Sequence, residues 1–137
     1  VTNQGINNQG NMWFTVEINN ASITLANSNG TISWNSNRTR EWIEGYSSML
    51  NPFDDKYLIS GSVTGNGVSG NPFSLNITDE LLVDLGCLLF SPCIITNGET
   101  IFSPNGYSDR IINYGNGECD CSFVITINGT AYNISLE

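Results

Sequence analysis

The sequence predicts a single all-β domain: an antiparallel β-sandwich of about 10–12 short strands, stapled by disulfides. Three observations lead there. Asn-Gly, the dipeptide of tight hairpin turns, occurs six times, at residues 29, 66, 97, 105, 116 and 128. Short segments rich in β-branched and aromatic residues lie between these turns. Four cysteines stand in a chain of 137 residues with only 12% charged residues and no His.

Taken in order, residues 1–11 are polar apart from Val1 and Ile6, and read as a flexible N-terminal arm. The single domain is expected over 12–137. From Met12 the chain alternates: Trp13, Thr15 and Glu17 on one side, Met12, Phe14, Val16 and Ile18 on the other. The predicted strands are 12–18, 22–26, 31–35, 39–44, 56–64, 72–78, 81–85, 93–96, 99–103, 109–114, 121–127 and 130–136. The weakest is 81–85, where Thr78-Asp79-Glu80 also suits the start of one helical turn. The strongest local signal is the last hairpin. Phe123, Ile125 and Ile127 share a side, Asn128-Gly129 turns the chain, and Tyr132, Ile134 and Leu136 alternate on the return.

Cys87, Cys93, Cys119 and Cys121 are even in number, as in proteins of oxidising compartments. A secreted or cell-surface location is therefore expected. Cys119 and Cys121 are two residues apart, too close for an unstrained bond to each other. Two bridges between the 87–93 and 119–121 segments follow. The expected set is Cys93–Cys119 with Cys87–Cys121, and the crossed set is the alternative. Zinc is disfavoured, since the spacings are C-x₅-C and C-x-C and His is absent.

Charge narrows the partners. Thirteen acidic and four basic residues give a net charge of −9. Arg38, Arg40, Lys56 and Arg110 are too few to displace counterions along a nucleic acid. No apolar run reaches the length of a membrane span. The absence of His removes Ser-His-Asp and Cys-His catalysis. A two-carboxylate glycoside hydrolase needs only a pair of acids. Its candidates are Glu41, Glu44, Asp54, Asp55, Asp79, Glu80 and Asp84, but their spacing singles out no pair.

No cofactor is expected. Asn113, Asn116, Glu118 and Asp120 offer closely spaced oxygens for Ca²⁺, without the Asp-x-Asp-x-Asp-Gly order of a loop site. A solvated turn explains them equally well. Trp13, Trp34 and Trp42 are candidates for a glycan-stacking platform, against the plainer reading of rings in a core.

The stretch Asn113-Tyr114-Gly115-Asn116-Gly117-Glu118-Cys119-Asp120, followed by Phe123 to Gly129, resembles a C-terminal signature reading roughly D-Y-G-x-G-x-C-D-N, strand, Asn-Gly, strand. That signature belongs to poorly characterised secreted or lipid-anchored surface proteins of Gram-negative bacteria. Gly30-Thr31-Ile32-Ser33-Trp34, Arg38-Thr39-Arg40 and Gly61 to Gly67 are similar as well, so the resemblance spans about 30–137. It implies an extracellular β-sandwich with Cys93 and Cys119 as the shared bridge, and it lends no catalytic residues. This chain departs from it with Asn113 for Asp and Cys121 for Asn.

The leading expectation is a non-catalytic structural or adhesive module, a filament subunit or other surface-assembly component. It would join copies of itself or another surface protein by strand addition, through the arm or an exposed edge. The second expectation is a glycan-binding module, and the third a small carboxylate-dependent hydrolase.

Overall fold

The computed structural model describes residues 1–26, 29–48 and 50–136. Nine strands form one antiparallel sheet in chain order: β1 (Thr2–Ile6), β2 (Met12–Thr24), β3 (Thr31–Glu44), β4 (Lys56–Asn66), β5 (Pro72–Asp84), β6 (Ile95–Pro104), β7 (Arg110–Asn116), β8 (Ser122–Ile127) and β9 (Thr130–Ser135). Two short 3₁₀ turns, Pro52–Asp54 and Leu85–Leu89, sit beside one end of the sheet. The all-β, antiparallel, disulfide-stapled architecture is as predicted.

The strands are fewer and longer than expected because bulges replace breaks in β2, β5 and β6, while β3 runs unbroken in register through 35–39. The ladder between β2 and β3 shifts between Ile18 and Ala21, where Asn20 adopts φ 57°. The β4–β5 ladder shifts between Ile59 and Ser62, and the β5–β6 ladder between Ile77 and Val83. Such bulges bend a strand without ending it. The bends are consistent with a sandwich-like body built from one continuous sheet.

Five Asn-Gly pairs lie in connections or at a strand end, but Asn97-Gly98 lies inside β6. Gly98 has φ 107°, and a Cβ there would stand 2.5 Å from the Glu80 carbonyl oxygen. The dipeptide provides a bulge at a close strand approach rather than a hairpin.

Residues 1–11 are not a free arm. Thr2–Ile6 pairs with β2, with Thr2 opposite Thr15 and Ile6 opposite Met12. Backbone hydrogen bonding adds this polar strand although all five of its residues are exposed.

Paired residues share a face of the sheet. Phe14, Arg40, Ile59 and Leu81 form one cross-strand row. Thr100, Ile112, Ile125 and Tyr132 form another. The buried core is narrow: Tyr57, Leu81, Val83 and Cys87, with Ser36, Asp55, Thr96 and Thr100. The protein exposes 8617 Å², against about 7,000 Å² for a compact chain of this mass. The body therefore exposes more surface than a compact chain of its mass.

The bridges are Cys87–Cys119 and Cys93–Cys121, the crossed set. The expected Cys93–Cys119 and Cys87–Cys121 set is corrected, and so is the shared bridge implied by the resemblance. Topology gives the reason. β6 and β8 both run antiparallel to β7, so they run parallel to each other. Cys93 and Cys121 stand just before those strands. Segments entering in the same direction pair first with first and second with second, whereas a nested pairing needs opposed directions. No described cysteine is free.

Candidate functional site

A concavity with apolar and cationic walls lies on the β2–β3–β4 face. It is a cavity of about 370 Å³ walled by Phe14, Val16 and Ile59 on its apolar side. Arg38, Thr39, Arg40, Trp42, Tyr57 and Val1 also line it. Strand alternation builds it: residues 38, 40 and 42 of β3 point to one side, and their β4 partners are Gly61, Ile59 and Tyr57.

Within it, the Arg40 guanidinium carbon lies 3.7 Å from the centroid of the Tyr57 ring. Tyr57 donates its hydroxyl hydrogen to the buried Asp55 carboxylate at 3.0 Å. Burial, reinforced by that hydrogen bond, raises the phenol pKa, and Arg40 pulls the other way. Trp42 packs against Tyr57 at 5.5 Å between centroids and meets Tyr46 edge-on at 5.3 Å. Gly45 holds φ 93° with its Cα hydrogens against Asp55, leaving no room for a Cβ.

Two donor atoms on residues that line this cavity stand out. Nε of Arg38 and Nε1 of Trp42 are buried and meet no acceptor among the described residues. Arg38 and Arg40 also make no ion pair among the described residues; the ion pairs are those of Lys56 with Glu44 at 3.2 Å and Asp84 at 3.7 Å.

The three tryptophans do not form a platform. Trp13 pairs with Glu41, the neighbour of Trp42, and so lies on the opposite face from Trp42. Trp34 and Trp42 share a face but stand eight residues apart along β3. All three are half-buried.

Of the acidic loop, Asn113, Asn116 and Asp120 border one open depression, and Glu118 is not among its walls. The Asn113 side-chain oxygen accepts from the Gly115 amide at 3.1 Å, and that of Asp120 from the Ser122 amide at 2.9 Å. These are turns closed by their own side chains. Among the described residues no group of three or more Asp, Glu, Cys or His side chains is placed to hold a metal ion.

Five of the seven candidate hydrolase acids, Glu41, Glu44, Asp54, Asp55 and Asp84, have other partners. Glu44 and Asp84 share Lys56, Asp84 also caps the Gly86 amide at 2.8 Å, and Glu41 accepts from the Asn11 amide group at 2.7 Å. Asp54 accepts from the Ser48 hydroxyl.

No family model, curated protein or solved structure matches the chain.

The sheet margins are the other notable feature. β1 and β9 end the strand order and have no outer partner among the described residues. β1 is short and carries a register shift between Asn3 and Gly5. β9 pairs with β8 without a shift, and its six residues include neither charge nor Pro. Natural sheets commonly blunt their edges with such features, and β9 lacks them.

Two intramolecular disulfides staple the chain, and no described helix is long and apolar enough to cross a membrane. Sequence reasoning missed the arginine cavity. The signal was present: half of the four basic residues lie two apart in one strand with Trp42 next in step.

Proposed function

We propose that the protein is a non-catalytic, extracellular structural or adhesive module that assembles by adding strands at its sheet edges. The observation that carries this reading is the open nine-stranded sheet ending in an unblunted β9. An unpaired edge offers a row of backbone donors and acceptors to an incoming strand, and those bonds supply affinity without a special side-chain site. The contact is edge to edge, since residues 2–6 already belong to the sheet. A neighbour's β1 is the simplest partner, because its joining to β9 continues one sheet from copy to copy. Two disulfides support export to an oxidising compartment.

Electron microscopy of native material tests the reading. Filaments or extended oligomers are expected. Uniform single subunits at all concentrations would contradict it.

A further inference from the structure

The arginine cavity has a chemistry that edge pairing leaves unused. In a protein of net charge −9, two of four basic side chains line a single cavity and neither makes an ion pair among the described residues. A buried donor without an acceptor is unfavourable. Arg38 Nε and Trp42 Nε1, on two residues that line the cavity, are two such atoms among the described residues. The surrounding walls are apolar or aromatic, and the Tyr57 hydroxyl is engaged by Asp55. A fitting ligand therefore needs an acceptor-rich anionic group beside a ring with an apolar face.

We propose that this cavity binds one carboxylate-bearing sugar unit, a uronic acid at the end of a short glycan. A guanidinium fork matches a carboxylate, and the exposed Arg40 on the cavity wall presents one. The ring's C–H face packs on Phe14, Trp42 and Ile59. The cavity of about 370 Å³ falls within the range of small-ligand sites. Net charge selects against long polyanions, which the rest of the surface repels. A bare inorganic anion makes no use of the apolar wall.

The test is a titration of the ¹⁵N-labelled protein followed by NMR, with sodium glucuronate, glucose and sodium sulfate as separate probes. Glucuronate is expected to shift the Trp42 indole and Arg38 Nε–H signals saturably, with glucose weaker by about tenfold or more. Arg38→Gln and Arg40→Gln are each expected to weaken glucuronate by about tenfold. Arg110→Gln, on β7 and outside the cavity, leaves it unchanged. If Arg38→Gln fails to fold, the exposed Arg40 carries the mutational test. Unmoved signals, equal binding of glucose, equal shifts by sulfate, or arginine variants that bind as the parent does would each overturn the proposal.

Discussion

The guanidinium of Arg40 stands 3.7 Å from the ring centroid of Tyr57, on the wall of the β2–β3–β4 cavity. Together with the Tyr57–Asp55 hydrogen bond, this arranges a cation, a ring and a buried carboxylate in series. The cation is available to a ligand while the ring it rests on is fixed from behind.

Removing the phenol hydroxyl takes the donor from a buried carboxylate. Tyr57→Phe is therefore expected to lower stability by about 1–3 kcal/mol at neutral pH. The pH dependence has a definite sign. The folded-state pKa lies above 10.0, chiefly through burial and then the Asp55 hydrogen bond. The folded protein keeps this proton after the unfolded chain has lost it. The contribution is complete below pH 10.0 and is lost as pH rises through the folded value. Lys56, raised above 10.5 chiefly by its hydrogen bond to Glu44, acts in the same sense. Urea midpoints measured from neutral to strongly alkaline pH should fall less steeply for Tyr57→Phe than for the parent. Parallel curves would contradict the assignment.

The crossed bridges can be read by peptide mapping. Cleavage before Asp120 separates Cys119 from Cys121, and cleavage after Leu88, Leu89 or Phe90 separates Cys87 from Cys93. Linked fragments should join Cys87 to Cys119 and Cys93 to Cys121. Each bridge spans a separation of 32 or 28 residues, so losing one should cost about 3–4 kcal/mol. Nested linkages would contradict the parallel course of β6 and β8.

Gly98 and Gly67 make a matched pair. An alanine at 98 meets the Glu80 carbonyl and must hold φ 107°, whereas at 67 the nearest atom is 3.7 Å away. Gly98→Ala should destabilise by about 1–3 kcal/mol or more, with Gly67→Ala close to the parent in thermal unfolding. Equal melting temperatures would remove the role given to the β6 bulge.

What the sequence reveals is what short-range chemistry decides. The β8–β9 hairpin is legible because Asn128-Gly129 fixes the turn and alternation fixes the faces. β1 is illegible because a Thr-Asn-Gln-Gly strand has no apolar rhythm, and only pairing with β2 orders it. The disulfide connectivity depends on the relative direction of β6 and β8, a property of the whole sheet. Trp13 parts from Trp42 through the β2–β3 register, which no local pattern specifies. The arginine cavity needs β4 beside β3 before its aromatic and charged walls meet.

Assembly through the β9 edge is most directly tested at Asn133. Asn128 and Gly129 hold φ 50° and 77° between the paired residues Ile127 and Thr130. In such a two-residue hairpin the flanking pair exchanges its hydrogen bonds, so the amides of 131, 133 and 135 point away from β8. Asn133→Pro removes an outward donor and spares the β8–β9 ladder. Light scattering should show multimers in the parent and single subunits in Asn133→Pro, with matching far-ultraviolet dichroism. A parent that stays monomeric, or a variant that assembles as the parent does, would contradict assembly through β9.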